Sequence, residues 1–443
     1  MLLTQNAERL INIIENAGFE AYAVGGCVRD YIMNKPCDDI DIASSAKPEQ
    51  LEAILSQNNI RYIETGLKHG TVTAVIDGEG YEITAFRSDG EYGDCRHPES
   101  VKFVSDIKED LARRDFTVNA MAYSPENGIV DVFGGKSDIE NRIIRTVGDP
   151  DKRFREDALR IMRALRFASV LSFDIDQDTE KSIFDNAELL KKVSAERIYT
   201  ELSKLITGEG VFKILTEYKE VFGVILPELK PIFSVEQNTR WHIYDVWTHT
   251  AKAVEQSPYD LAIRYTMLFH DIGKAFAKTT DENGTDHFKG HQKISEKYAK
   301  TALARLKAPN EIVQRVMYLV PIHDMHIGTK PNKIKKWLSD ANESRLRDLI
   351  AVKRADKAAQ NPEMTAQELV NLDITERELN RIISDGEPFS LKDLAINGND
   401  LIALGYSGKE IGTKLEYLLD AVINDKIENK KSKLLDYLSD CNN

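Results

Sequence analysis

A chain of 443 residues is long for one hydrophobic core and suggests about three domains. Its 42% hydrophobic content is that of an ordinary globular protein, and no continuous apolar run reaches the roughly 18 residues a membrane helix needs. The net charge of −13 argues against a nucleic-acid partner when summed over the chain, but binding depends on where charge sits.

Basic residues do cluster locally, at Lys152, Arg153, Arg155, Arg160, Arg163 and Arg166, and in the tail at Lys426, Lys430, Lys431 and Lys433. The opening Met1-Leu2-Leu3-Thr4-Gln5 lacks the basic and apolar regions of a signal peptide. Cys27, Cys37, Cys95 and Cys441 form no CxxC pair, so a reducing cytoplasm is expected rather than a disulfide framework.

In chain order, Leu10, Ile11, Ile13 and Ile14 recur at helical spacing, predicting a helix within residues 1–20 that ends at Ala17-Gly18. Short β-type runs follow at 21–24, 40–42, 71–76, 81–86 and 129–133. Asp77-Gly78 and Glu79-Gly80 mark a hairpin. Beyond about residue 140 amphipathic helical patterns run to the end, with a linker-like stretch from Pro231 to Arg240. The reading is an α+β head over 1–140, a helical neck over 141–230, a histidine-rich helical region over 231–365 and a helical C-terminal region over 366–443.

Chemistry concentrates first at Val24-Gly-Gly-Cys-Val-Arg-Asp30, followed by Asp38-Asp39-Ile40-Asp41-Ile42. A strand, two glycines and a helix suit a phosphate cradle, because glycine lets backbone N–H groups approach the anion. In a strand, Asp39 and Asp41 point to one face, and two adjacent carboxylates call for a cation such as Mg²⁺. The alternative for the pair alone is a solvated strand edge. Asp157 and Arg160, three apart on an expected helix, share a face and can imitate a base edge, Asp accepting from an exocyclic amine while Arg donates. The plainer alternative is a surface ion pair.

Together with Arg113-Arg-Asp-Phe-Thr-Val-Asn-Ala120, Asp131-Val-Phe-Gly-Gly135 with Asp138, Arg155-Glu-Asp-Ala-Leu-Arg160, and Glu196-Arg197 with Glu201, these motifs resemble the class II, bacterial-type tRNA nucleotidyltransferases. These are CCA-adding enzymes with a DNA-polymerase-β-like head and poly(A) polymerase relatives. The resemblance covers residues 1–230 in detail. It implies a transferase that adds or repairs the 3′-terminal CCA of tRNA from CTP and ATP, releasing pyrophosphate. Asp39 and Asp41 would be its catalytic Mg²⁺ ligands, and Gly25, Gly26, Arg29, Arg114, Asp115, Asn119, Asp157, Arg160, Arg163 and Arg166 its nucleotide-binding residues. Asp115 and Asn119 look placed for the ribose, with capping and a buried polar contact as their alternatives, and Glu82 is a candidate third carboxylate. The polar stretch Arg87–Phe103 resembles the loop that such enzymes use to switch from CTP to ATP. Full CCA addition and addition of A alone both stay open, and poly(A) polymerase is the runner-up.

Six of the nine histidines fall between residues 249 and 326. His249, His270-Asp271, His291, His323 and Asp356 form an ordered set that resembles the HD superfamily of metal-dependent phosphohydrolases. Imidazoles plus carboxylates suit a divalent transition metal whose bound water becomes a nucleophile. The resemblance implies an HD metal site and, in some tRNA nucleotidyltransferases, phosphatase or cyclic phosphodiesterase activity. Residues 391–435, with Gly405, Gly408 and Gly412, are similar to the tail that holds tRNA in bacterial relatives, a helical packing module being the alternative. A chain that is chiefly an HD hydrolase with a degenerate head, and a non-enzymatic RNA-binding module, are the rivals. The retained Asp-x-Asp weighs against both, and the oligomeric state is left open.

Overall fold

A computed structural model describes residues 3–37, 39–66, 70–90 and 101–440. Asp38, residues 67–69, the central part of the Arg87–Phe103 stretch (91–100, with Cys95) and Cys441 lie outside the described residues. The chain divides into two compact units, Met1–Pro227 and Glu228–Asn443.

The first unit opens with α1 (Gln5–Asn16), started by the Thr4 hydroxyl accepting from the Ala7 amide and burying Ala7, Leu10, Ile11 and Ile14. The elements β1 (Ala21–Val24), α2 (Gly26–Ile32), β2 (Asp41–Ser44), α3 (Pro48–Gln57), β3 (Arg61–Gly66), β4 (Thr71–Ile76) and β5 (Glu79–Ala85) follow. Then come a small hairpin of β6 (Arg87–Asp89) with β7 (Val101–Phe103), α4 (Ile107–Ala112), β8 (Met121–Ser124), β9 (Gly128–Asp131) and α5 (Gly135–Glu140). The described strands build a seven-stranded sheet in the order β3-β4-β5-β2-β1-β8-β9. The expected hairpin joins β4 to β5, with Asp77 and Gly78 both at positive φ.

Register is what matters for function. β1 and β2 are antiparallel with Val24 opposite Asp41, and β2 runs parallel to β5 with Ile42 opposite Ile83. The Gly25-Gly26 turn that leaves β1 therefore lies beside Asp41 at the start of β2, and Glu82 comes alongside from β5. Tyr22, Val24, Ala43, Phe86, Ile107, Leu111 and Ala122 form a buried cluster beneath this corner.

The helices α6 (Pro150–Glu156), α7 (Leu159–Leu171), α8 (Gln177–Asn186), α9 (Ala195–Ile206), α10 (Val211–Glu217) and α11 (Lys219–Ile225) complete this unit. Phe116 bridges to Thr146, and Ile143-Ile144 pairs with Asp174-Ile175, tying the helices to the sheet part. One expectation is corrected here. Asp157 and Arg160 do not share one continuous helix, because Asp157 is extended (φ −142°, ψ 105°) between α6 and α7. The cause is local: the Asp157 carboxylate accepts from the Leu159 amide at 3.1 Å and so caps α7 instead of extending α6.

The second unit is helical: α12 (Val246–Gln256), α13 (Leu261–Phe269), α14 (Lys274–Ala277), α15 (His291–Arg305), α16 (Asn310–Leu319), α17 (Pro331–Ala341), α18 (Glu343–Ala358) and α19 (Pro362–Ser384). The tail holds α20 (Gly398–Ala403), α21 (Lys409–Ile423) and α22 (Lys431–Asp440), packed on their own cluster of Leu394, Ile396, Leu401, Leu418, Val422 and Leu434.

Candidate functional site

Two sites emerge, one in each unit. At the sheet corner, Gly25 has φ +79°, which a residue with a side chain rarely adopts, and a Cβ there would lie 3.0 Å from Arg114 Nη1. Asp39 and Ile40 precede β2, which begins at Asp41. Desolvation, then the charges of Asp39 and Glu82, push the Asp41 carboxyl up, while Arg114 opposes them. Asp39 and Glu82 lie near enough to Asp41 for their charges to act on it, and carboxylates are the donors a hard divalent cation takes, although among the described residues only the histidine region brings three ligand atoms within 4.8 Å of one another. Asp39 and Glu82 are thus neighbours of Asp41, Gly25 is a neighbour of Arg114, and Gly26 faces Arg29.

The remaining expected residues are each held by hydrogen bonds or ion pairs. Arg29 Nη1 donates to Asn119 Oδ1 at 2.6 Å, and Arg29 also pairs with Asp30 at 2.9 Å. Asp115 is buried; it accepts from its neighbour Phe116 N and pairs with Arg163 at 2.6 Å. Burial alone would raise its carboxyl, but Arg163 outweighs that and holds it below the usual range. Arg166 pairs with Glu201 at 2.7 Å. Asp157 Oδ2 accepts from Arg197 Nη2 at 2.7 Å, and Arg160 donates to Glu156 at 2.7 Å and to the Arg113 carbonyl at 3.2 Å. Asp131 and Asp138 serve the scaffold: the first accepts from the Gly135 amide, the second from Thr117 Oγ1.

Sequence reasoning passed over Phe167. Its ring carries Arg166 at 3.7 Å and Arg29 and Arg163 each at 5.4 Å from its centroid. Three guanidiniums thus converge on one aromatic ring, and each also faces a carboxylate, Arg29 that of Asp30, Arg163 that of Asp115 and Arg166 that of Glu201. Phe167 sits at a core-like position of α7, so nothing in its spacing signals this.

The second site gathers all six expected residues of the histidine set. His249 comes from α12, His270 and Asp271 from the end of α13, His291 from the first turn of α15, His323 from the turn after α16, and Asp356 from α18. All are buried. Gly273 makes this possible, since a Cβ there would meet the His291 carbonyl at 2.1 Å. Each imidazole uses Nδ1 on a backbone carbonyl: His249 on Ala359 (3.2 Å), His270 on Met267 (2.6 Å), His291 on Phe288 (2.8 Å) and His323 on Val320 (2.7 Å). The four Nε2 atoms are left facing inward, 3.2 Å apart in the His249–His270 pair and 3.4 Å in the His291–His323 pair.

Two triads of ligand atoms result, His249/His270/Asp271 and Asp271/His291/His323, each within 4.8 Å, with Asp271 common to both. Burial opposes ionisation of Asp271, but His270, Lys274 and His249 outweigh it and hold it well below the carboxylate range. Gln360 Nε2 holds both Asp356 oxygens at 3.0 Å. Lys274, three residues beyond Asp271 in the sequence, lies 2.7 Å from Asp271 and from Gln237 Oε1. A cavity of about 450 Å³ opens onto the cluster, lined also by Trp241, Phe288, Lys289 and Lys357.

Comparison with known proteins bears on both units. Residues 21–145 match the family model of the poly A polymerase head domain, residues 172–233 that of an RNA and SrmB-binding site of polymerase A, and residues 281–438 that of tRNA nucleotidyltransferase domain 2. The CCA-adding enzyme of Pediococcus pentosaceus is 34% identical over 97% of this chain and 96% of its own length. That of Geobacillus stearothermophilus is 35% identical over 99% and 97%. The crystal structure of the Bacillus stearothermophilus CCA-adding enzyme in complex with CTP superposes with a TM-score of 0.71 at 31% identity, covering 99% of this chain and 97% of that one.

Proposed function

The chain belongs to the CCA-adding enzymes, and from that membership we propose how its own residues carry out the reaction. It adds the 3′-terminal CCA of tRNA from CTP and ATP. The tRNA 3′-oxygen attacks the α-phosphorus of the nucleotide, the bond to the β-phosphoryl oxygen breaks, and pyrophosphate leaves. Gly25 and Gly26 bring backbone against the triphosphate. Arg29, Arg163 and Arg166, gathered on Phe167, together with Arg114, neutralise its charge. Asp115 and Asn119 orient these arginines and lie where a ribose would be read. Asp157 and Arg160 read the base edge.

Asp39 and Asp41, with Glu82 beside them, would hold Mg²⁺, which when bound supplies charge neutralisation for the phosphates and the incoming oxygen. The observation that carries this assignment is the register of Val24 against Asp41, which sets the diglycine turn beside the carboxylates. Asp41→Ala is expected to abolish incorporation without lowering the melting temperature; an active Asp41→Ala protein would refute the metal role.

The inward-facing Nε2 atoms support a second reading. We propose that residues 231–365 form an HD-type metal centre in which His249, His270, Asp271, His291, His323 and Asp356 hold divalent transition metal, and that this centre hydrolyses phosphate esters. Each imidazole already has its Nδ1–H directed at a carbonyl, the arrangement that fixes a metal-binding tautomer. Metal bound there would supply an activated water. Metal-dependent phosphate release that survives Asp271→Ala would sink this reading. The neck (141–230) and tail (366–443) would then hold the tRNA, and the 87–103 stretch would govern the change from CTP to ATP.

A further inference from the structure

Two further cavities line up beyond the histidine cavity, along the segment that follows His323. The middle one, about 220 Å³, shares Asp324, Lys357 and Glu368 with the histidine cavity. The outer one, about 620 Å³, shares His326, Ile327, Gly328 and Thr329 with the middle one.

Their chemistry is uneven. Lys353 lines the middle cavity at only 9% exposure, and its ammonium has no hydrogen-bond or ion-pair partner among the described residues. The nearby carboxylates are engaged elsewhere: Asp356 with Gln360 at 3.0 Å, Glu368 with Lys357 at 3.1 Å, and Asp324 with Gln292. An ammonium that faces open space without a protein partner, on a side chain otherwise buried, is a seat for an anion. In the outer cavity, Lys333, Lys336, Trp337 and Asp340 share one face of α17, opposite Tyr318 and Met325, with Lys330 at the helix start. Lys330 and Lys333 have no ion-pair partner among the described residues, whereas Lys336 pairs with Asp340 at 3.0 Å. Lysines interleaved with a half-buried indole are the pattern by which a single strand is held, phosphates on the cations and a base on the ring.

We propose that these cavities form one trough that seats the terminal nucleotides of a single-stranded RNA, with its end phosphate at the histidine cluster, the next phosphate on Lys353 and a base on Trp337. This rests on the HD reading and names its substrate class: a phosphate-terminated strand, not a free mononucleotide.

The test uses the full-length chain supplied with Mn²⁺, Co²⁺ or Ni²⁺. Phosphate release is compared for p-nitrophenyl phosphate, a nucleoside monophosphate, and an RNA hexamer phosphorylated at the 3′ end or at the 5′ end. The hexamer should exceed the mononucleotide in kcat/KM by about tenfold or more, a stacking-sized effect. Lys353→Met and Trp337→Ala should each erase that advantage while leaving p-nitrophenyl phosphate turnover unchanged. Equal kcat/KM for hexamer and mononucleotide would overturn the trough and leave the HD reading standing. If no substrate is turned over, the HD reading fails. The strand site is then judged by photocrosslinking a 4-thiouridine hexamer: adducts within residues 318–353 support it, and adducts found only outside that range overturn it.

Discussion

Arg197 Nη2 donates to Asp157 Oδ2 across 2.7 Å, tying α9 to the break between α6 and α7. The bond fixes the rotamer of the carboxylate assigned to base reading, while the other oxygen of Asp157 caps α7. Removing Arg197 leaves the fold intact but frees that carboxylate. Arg197→Met should raise KM for CTP and ATP and relax discrimination against GTP and UTP by about tenfold, within the ~1–3 kcal/mol of a bidentate base contact. Single-nucleotide incorporation with each of the four triphosphates measures it; unchanged selectivity would show that Asp157 needs no such restraint.

Glu201 is the buried counterion of Arg166, with Arg163 3.7 Å away. Glu201→Ala leaves guanidinium charge uncompensated in a half-dry site. It should cost about 3 kcal/mol of stability, the usual penalty for removing one partner of a buried pair. Urea unfolding gives the number, and a loss under ~1 kcal/mol would mean that water or Asp115 takes over the pairing.

Asp115 gives a pH signature. Its folded carboxyl lies below the unfolded value because Arg163 outweighs burial. Its contribution to stability is therefore fully present above an unfolded pKa of about 4 and is lost as pH falls through the depressed folded value. Asp115→Asn should melt lower than the parent at neutral pH, and the gap should narrow below about pH 4. A gap that stays constant in thermal melts down to about pH 2.5 would contradict the ion pair's role.

The histidine site gives a metal signature. Asp271 belongs to both ligand triads. Asp271→Asn should lower bound transition metal, read by elemental mass spectrometry, and remove any metal-induced rise in melting temperature. CCA addition by the head should continue. Equal metal content in parent and variant would remove Asp271 from the ligand set.

Much of this was legible beforehand, because periodicity and turn chemistry are local. The apolar spacing of Leu10 to Ile14, the glycines after Val24 and the Asp77-Gly78 turn each carry their own physical cause. The break at Asp157 was not legible: charged residues on both sides read as helix, and only the side chain's choice of the Leu159 amide interrupts it. The convergence of three arginines on Phe167 depends on how α7 lies against α2, which spacing alone does not reveal. The histidine set could be read in order along the chain, whereas the direction of each ring is decided by the carbonyls of Met267, Phe288, Val320 and Ala359. Lys353 looked like any helical lysine, and only its burial beside a cavity sets it apart.

The most direct test of the central claim is incorporation of labelled CTP and ATP, separately and together, into a tRNA that ends at the discriminator base. C, C and A should be added in that order, with arrest after the A, and the Asp41→Ala chain should add nothing. Long A tails, A added only to tRNA already ending in CC, or full activity in the Asp41→Ala chain would contradict it.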